Sequence, residues 1–414
     1  AADEKRREKI KEVEALRSTQ NQASDEMAKL SESERKGRIR EMKELKAKLG
    51  HLEFELRTIE EEFTALMYRI PNIPSDDVPV GKDESANAVL REMGEKPSFP
   101  FAPKDYIELG ENLDLIDTER AAKVSGARFG YLTHEAPLIE FAIVQFVFQR
   151  LTSGIWLGEV IKKAELNVPA KPFIPVVPPV LIRPEVFRAM GKLDPGQEEE
   201  RYFLPKDDLY LVGSAEHTVG PLHLAETLEE EKLPHRHIAF STCFRREAGS
   251  YGRDMKGIIR VHQFDKLEMF SYVHPEHSRD EHDFFLAIQE AMMRELKLPY
   301  RVMLISTGDM VWTDTKQYDI ETWLPGLSGG GYRETHSTSN STDFQSRRLN
   351  TKFRTKDGET SLVHTINGTA FAIGRALIAI LENFQQADGS VKIPEVLLPY
   401  MHGITEIRRE KKDR

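Results

Sequence analysis

The chain has 414 residues, more than one average domain, with 39% hydrophobic and 30% charged side chains and a net charge of −10. That hydrophobic content excludes wholesale disorder, and the acidic balance excludes a uniformly basic nucleic-acid coat while leaving room for a local basic patch. The lone cysteine, Cys243, excludes an internal disulfide framework and a cysteine-based zinc cluster, and it suits a reducing compartment, the cytoplasm or an organellar matrix. No apolar run approaches the ~20 residues that span a bilayer. The opening AADEKRREKI has no apolar signal core, and without an initiator Met the start is expected to be missing.

Residues 1–68 contain no proline, and fifteen Lys/Arg stand against sixteen Asp/Glu. Apolar residues recur at Val13, Leu16, Ala23, Met27 and Leu30, with Gln20 in an expected apolar place. A second series, Met42, Leu45, Leu49, Leu52, Leu56, Ile59, Phe63 and Leu66, steps by three and four, the heptad seam of a coiled coil. Between the two series Ser31 and Glu34 have capping-box spacing, so a new helix starts there. The pattern predicts two antiparallel helices joined by a tip near 30–33; the alternative is one long helix that dimerises through its seam. A second helix of about 36 residues is roughly 50 Å long at 1.5 Å per residue, too long to fold over a small domain, so the arm is expected to project.

Proline ends the arm at Arg69-Ile70-Pro71-Asn72-Ile73-Pro74. The expected organisation is an N-terminally incomplete helical arm over 1–70, a polar linker over 71–86 and a globular domain over 87–414. Within the last, 138–151 reads as a buried helix, 173–182 and 264–273 as strands, and 279–296 and 369–384 as helices. The order is α+β rather than a repeating βαβ pattern. There is no internal repeat, no Walker A loop and no G-x-G-x-x-G after a strand, and the glycine triplet 329–331 reads as a flexible loop.

Three stretches carry candidate chemistry. The first, 241–268, has Arg245, Arg246 and Glu247, then a loop with Gly249, Gly252 and Gly257, then an apparent strand over 258–264; together they read as a hairpin. Arginine's planar fork suits phosphate, and Phe264, alternating with His262 and Lys266, offers a face for stacking a flat ring. The alternative is a surface hairpin with ordinary ion pairs. In the second, 332–349, Glu334 and the hydroxyls after it suit a hard cation such as Mg²⁺, or else form a plain Ser/Thr-rich loop in which His336 is only hydrogen-bonded. In the third, 366–386, Asn367-Gly368 reads as a turn before an apolar helix. Arg375 inside that helix requires an anionic partner, either a structural carboxylate or a substrate phosphate.

Together these stretches resemble the seryl-tRNA synthetases, a family of class II aminoacyl-tRNA synthetases. Phe244-Arg245-Arg246-Glu247 matches the F-R-x-E of the second class II signature, and the run to Glu268 follows the family pattern nearly without gaps. Residues 367–375 match the third signature, and Pro179 in PVVPPVLI matches the proline of the first, which in this class lies at the dimer interface. Ser214-Ala215-Glu216 resembles the T-x-E serine-recognition loop, with serine for threonine; His217 follows where an apolar residue is common. The resemblance covers essentially the whole chain. It implies an antiparallel catalytic sheet flanked by helices, with the N-terminal coiled-coil arm as the tRNA-binding domain.

The resemblance implies ATP-dependent activation of L-serine and transfer of the seryl group to serine tRNA by a homodimer. Arg245 would contact the α-phosphate and the serine carboxylate, and Arg375 the distal phosphates. Phe264 would stack on adenine, with Val261 and Glu247 completing that pocket and Arg246, Thr335 and His336 among the ATP contacts. Glu334 and Ser337 would ligate Mg²⁺. Glu216 and Ser214, with Ala215 in the same loop, would receive the α-amine, and Glu268 and Thr369 the side-chain hydroxyl. Seven Lys/Arg against two Glu over 35–48, among them Arg35, Lys36, Arg38, Arg40 and Lys43, would grip the long variable arm of the tRNA. The alternatives are an amino-acid:carrier-protein ligase and an inactive paralogue of the same fold.

Overall fold

The computed structural model describes the chain apart from residues 28–30, 194–195, 249–255, 328 and 410–414 and the side chains of 32–37. The chain divides into two compact units, Ala1–Pro71 and Asn72–Arg414.

The first unit is a pair of helices, α1 (Ala2–Met27) and α2 (Glu32–Met67), packed along each other. The break between them falls where the capping signal is, though the tip itself lies partly outside the described residues. Ion pairs confirm the antiparallel course: Arg6 with Glu60 at 3.7 Å, Lys9 with Glu55 at 3.0 Å, Arg17 with Glu53 at 2.8 Å and Arg38 with Glu26 at 3.0 Å. Position rises on one helix as it falls on the other. The seam is thin. Val13 and Leu49 are its buried residues, the other seam positions between Met42 and Phe63 are half-buried, and Leu66 is exposed.

The second unit is built on an eight-stranded sheet. Its strands are β1 (Ala88–Met93), β2 (Ile174–Val176), β3 (His235–Phe244), β4 (Gln263–Val273), β5 (Tyr300–Leu304), β6 (Lys316–Leu324), β7 (Gly331–Thr342) and β8 (His364–Ala372). The spatial order is β1-β5-β6-β7-β8-β4-β3-β2, antiparallel throughout except for the β2–β3 edge pair. One face is covered by helices α3 (Glu135–Leu151), α5 (Ser278–Glu295) and α6 (Ile373–Asn383), and the main hydrophobic core lies between them and the strands. A short helix, α4 (Glu216–Val219), belongs to the other face, where Ala215 and Val219 pack with Ala239, Phe270 and Tyr272. Among the described residues no single helix is long and apolar enough to cross a membrane.

Several local readings change. Residues 258–262 are irregular, a turn followed by bends, and the strand begins only at Gln263, so the hairpin connection is longer than the apparent strand over 258–264 suggests. The run 173–182 divides into β2 and a two-residue strand, Leu181–Ile182, with prolines between. The Ser/Thr-rich loop is strand β7; its alternate hydroxyls satisfy buried partners across the sheet. Asn367-Gly368 makes no turn but lies mid-strand in β8, and helix α6 starts at Ile373 rather than 369. Gly368 is needed for close approach: a Cβ there would lie 2.8 Å from the Thr338 hydroxyl on the neighbouring strand.

The segment read as a polar linker is pinned to the second unit. Asn72 donates through Nδ2 to the carbonyls of Thr313 and Ser341, and the Ser75 N–H reaches the Thr315 carbonyl. Thr307 N–H donates to the Pro79 carbonyl. Such spacing leaves no free-running connector between Asn72 and Pro79.

Candidate active site

The open face of the sheet carries a cleft of about 850 Å³, the size of a small-molecule site. It is lined by Ser214, Glu216, Arg245, Glu247, Glu268, Glu334, Ser337, Thr369 and Arg375, all expected from the sequence. A recess above it adds Val261, Phe264 and Thr335. Residues from four separate stretches therefore meet in one place.

Two β-bulges decide which side chains face the cleft. In a regular strand Glu334 and Ser337, three apart, would point to opposite faces. In β7 the register skips: His336 lies opposite Ile320, and Glu334 opposite Glu321, leaving Thr335 as the extra residue. That restores Glu334 and Ser337 to one face. The same device acts in β8, where Leu267 lies opposite Phe371 but Glu268 lies opposite Thr369, with Ala370 extra. Thr369 and Ala372 thereby both reach the recess.

Two of the buried carboxylates of the cleft, Glu268 and Glu216, are each tied to a lysine. Glu268 Oε2 lies 2.6 Å from Lys266 Nζ and accepts from the Thr369 hydroxyl at 3.3 Å. Burial raises the Glu268 carboxyl, Lys266 opposes, and the charge of Glu216 adds to the rise. Glu216 Oε1 lies 3.2 Å from Lys192 Nζ and accepts from the Gln345 amide at 3.0 Å. Burial alone would raise this carboxyl too, but Lys192 and Lys266 outweigh it and hold it below the ordinary range. The Ser214 hydroxyl accepts from the Glu216 N–H at 3.2 Å, which fixes the loop entering α4. His217 occupies its usually apolar position as a neutral ring. It packs on Phe187 at 4.7 Å and accepts from the Gly213 N–H, and burial depresses it well below the ordinary value.

Cations line the opposite wall. Arg245 lies over the Phe264 ring at 5.3 Å and donates to the Gly213 carbonyl at 3.2 Å. Arg246 is exposed over Tyr202 at 5.9 Å and lines neither the cleft nor its recess. Glu247 is held by Arg260 at 2.8 Å. Arg375 finds its anionic partner in Glu334, through the carboxylate at 3.3 Å and the main-chain carbonyl at 2.8 Å. It is half-buried in the first turn of α6 rather than enclosed in an apolar run. A cation in a first turn opposes the helix dipole, which points to a role in binding an anion rather than in stabilising the helix.

His336 is not brought to the cleft. Its ring packs on Phe371 at 4.7 Å beneath the sheet, and burial lowers it to about 3. The strand's alternation turns it away from Ser337, so any part it takes in nucleotide binding falls to its main chain. Thr335 reaches the recess, though its hydroxyl is spent on Thr322 at 2.7 Å. Pro179 is exposed, with its carbonyl accepting from the Thr218 hydroxyl. In the arm, Arg38 pairs with Glu26 and with Glu41 at 2.6 Å, and Arg40 with Glu44 at 3.4 Å. Lys43 is exposed without an ion pair among the described residues, and the side chains of Arg35 and Lys36 lie outside them.

Sequence reasoning missed Asp319, Gln317, Lys192 and Arg201. Asp319 lies opposite Ser337 in the β6–β7 ladder, and Gln317 donates to both, at 3.0 and 3.2 Å. Burial, and next the charge of Glu334, push the Asp319 carboxyl up to about 8. Two carboxylates and a hydroxyl crowded in this way make an oxygen donor set that fits a hard divalent cation. Arg201 lies over Phe187 at 5.6 Å, and burial with the neighbouring Arg245 lowers it to about 10. The alternation of β6 carried a signal for Asp319, since Gln317 and Asp319 take one face where Tyr318 and Ile320 take the other; Lys192 and Arg201 sit in irregular segments with none.

Two family models match. Residues 202–384 match the tRNA synthetase class II core domain (G, H, P, S and T), and residues 1–74 match the seryl-tRNA synthetase N-terminal domain. The chain is 44% identical over 405 residues to the serine–tRNA ligase of Clavibacter michiganensis subsp. michiganensis, covering 98% of this chain and 90% of that one. It is 41% identical to the serine–tRNA ligase of Nitrosopumilus maritimus, covering 98% and 92%. Among solved structures, the seryl-tRNA synthetase of Pyrococcus horikoshii complexed with ATP aligns with a TM-score of 0.82 at 37% identity, covering 99% and 92%. The cytoplasmic serine–tRNA ligase of Naegleria fowleri in complex with AMP aligns at 0.79 and 28%, covering 99% and 91%.

Proposed function

The chain belongs to the seryl-tRNA synthetases, and on that premise we propose that it activates L-serine with ATP and passes the seryl group to serine tRNA. The observation that carries the reading is Glu268 and Thr369 meeting at 3.3 Å inside a cleft that also holds Arg245 and Arg375. A carboxylate and a hydroxyl set together receive a side-chain hydroxyl; an analogue lacking it leaves both unpaired, and such sites reject by up to about 10⁴. Glu216, held ionised by Lys192, receives the α-ammonium together with Ser214.

In the first step a serine carboxylate oxygen attacks the α-phosphorus of ATP, and pyrophosphate leaves with the bonding electrons. Arg245 spans the carboxylate and the α-phosphate, Arg375 takes the distal phosphates after releasing Glu334, and Phe264 stacks on the base, with Val261 and Glu247 beside it. Positioning and charge neutralisation are what this transfer demands. Glu334 and Ser337, with Asp319 behind them, would hold Mg²⁺, which neutralises phosphate oxygens when bound. In the second step a terminal ribose hydroxyl of the tRNA attacks the seryl carbonyl carbon and AMP leaves. The basic stretch of α2 grips the variable arm by its backbone, and a two-fold pair forms around Pro179.

The test is ATP–pyrophosphate exchange with each of the twenty amino acids. Serine alone, with Mg²⁺ present, is expected to support it. Exchange with a different amino acid overturns the specificity, and exchange with none leaves an inactive paralogue. For the dimer, light scattering at micromolar protein is expected to give twice the chain mass; an active monomer would remove Pro179 from an interface.

A further inference from the structure

At the far end of the same sheet face, away from the serine and ATP residues, three imidazoles converge. His235 and His237 alternate along β3 and so point to one side. His223 reaches them from the connection that follows α4. Ring centroids are 4.8 Å apart for His235 and His237, 5.1 Å for His223 and His235, and 6.1 Å for His223 and His237. One nitrogen from each ring lies within 4.8 Å of the others. We propose that His223, His235 and His237 form a binding site for a transition-metal cation, of which Zn²⁺ is the fitting one.

Hydrogen bonding points the same way. Nε2 of His223 and Nδ1 of both His235 and His237 are buried without a hydrogen-bond partner. A single orphaned buried nitrogen is uncommon, and three in one cluster call for a shared acceptor of lone pairs. His223 is already oriented to supply one. Its Nδ1 lies 2.7 Å from the Glu226 carboxylate. A carboxylate accepts, so Nδ1 carries the proton and Nε2 the lone pair. This carboxylate–histidine pairing is the arrangement that fixes metal-ligating imidazoles elsewhere. Burial also keeps the β3 rings neutral, His237 near 3 and His235 below its ordinary value.

The support behind the ligands is stiff. Arg236, between the two β3 histidines, points to the opposite face and makes a buried two-pronged pair with Glu281, both distances 2.7 Å. Its guanidinium also donates to the carbonyls of Pro169 and Lys171. That holds the strand in register and the two rings in place. Tyr272 borders the cluster at 5.1 Å from His223, and its hydroxyl donates to the Val219 carbonyl at the end of α4. The His223 side chain is 16% exposed, which gives a cation a path in and leaves a position for water. Zinc–nitrogen bonds of about 2.0 Å ask the three nitrogens to close to roughly 3.3 Å, a contraction that small ring rotations supply. An all-nitrogen set excludes Mg²⁺ as the preferred ion and favours Zn²⁺ and its neighbours.

Such a cation would clip the exit of α4 to β3, while the entrance of α4 carries Glu216. The test uses the full chain, stripped with a chelator and dialysed, then titrated with Co²⁺ in excess Mg²⁺ so that the oxygen site is filled. One Co²⁺ per chain is expected, with the intense visible bands of a tetrahedral nitrogen site, displaced by Zn²⁺. His237→Ala and His235→Asn should each abolish the bands, and Glu226→Gln should weaken binding by about 10–100-fold with the circular dichroism unchanged. Absence of saturable binding by the unmutated chain at micromolar Co²⁺ or Zn²⁺ overturns the proposal. So does binding of equal strength in His237→Ala.

Discussion

The arm and the body of this chain solve the same burial problem at opposite extremes. In the arm, two helices totalling 62 residues have Val13 and Leu49 as the buried side chains among the described residues, and exposed ion pairs run alongside. Exposed pairs contribute about 0–1 kcal/mol each, so the arm's two-helix state rests on a narrow seam. In the body, a single helix, α6, buries nine of its eleven residues. The difference teaches where function can be placed. A seam that uses one stripe per helix leaves the remaining faces free to carry charge, whereas the body must carve its site out of a packed interior with bulges and paired ions.

The sharpest way to break the comparison is to remove the arm. Deleting residues 1–71 should leave serine-dependent pyrophosphate exchange within about threefold, because the active-site residues lie in the other unit, while charging of tRNA should fall by more than about 10³ through the loss of effective concentration and positioning. Loss of both activities would make the arm part of the catalytic fold. Unchanged charging would make its basic stretch a solvated helix face.

Next in size is Glu268→Ala. Productive use of serine should drop by about 10³–10⁴, with ATP affinity nearly unchanged. Equal losses for serine and ATP would remove the division of labour between Glu268 and the arginines. Arg245→Ala should lower the activation rate by about 10²–10³, the scale of one lost electrostatic stabiliser. Near-normal turnover would take Arg245 out of the reaction.

How much of this could be read in the sequence follows from the range of the contacts involved. The arm was legible because a heptad seam repeats locally and each position predicts the next. Arg245, Phe264 and Glu268 were legible as a linear motif. The pairing of Glu334 with Ser337, or of Glu268 with Thr369, could be named by resemblance but not explained, since a bulge is defined only by the opposing strand. Asn367-Gly368 misled for a related reason: the dipeptide favours a turn, yet close approach of Thr338 in a neighbouring strand uses the glycine mid-strand. Residues 258–262 looked like a strand from their apolar content, but no partner strand pairs with them.

Acid should separate the two units more gently. Burial lowers His282 to about 4 in the folded body, against an unfolded value of about 6.5. A depressed histidine contributes stability above the unfolded value, and that contribution is lost as pH falls from about 6.5 towards 4, at up to about 1.4 kcal/mol per pH unit. Urea unfolding at pH 7.5 and pH 5 should therefore show a pH dependence that His282→Gln reduces, with His217, His237 and His336 supplying the remainder, and deletion of the arm should leave it in place. An unchanged slope in His282→Gln would assign the acid sensitivity to other groups.

The smallest effect is expected from charge reversal at Arg40 and Lys43. The KM for tRNA should rise several-fold, with a shallower dependence on salt, because each phosphate contact releases counterions. Serine and ATP parameters in exchange should not move. A matching change in those parameters would mean that the substitution disturbs the body as well.

The bulge at Thr335 has one more consequence, for how this strand tolerates change in length. Point substitutions in β7 alter one side chain at a time, but loss of that one extra residue would return the strand to an unbroken pleat. Glu334 and Ser337 would then stand two apart, the spacing that an unbroken strand keeps on one face, and the cross-strand partner of every position beyond would stay the same. Thr335 thus behaves like a silent letter in the spelling of the strand: dropping it leaves the sense of every position beyond it unchanged.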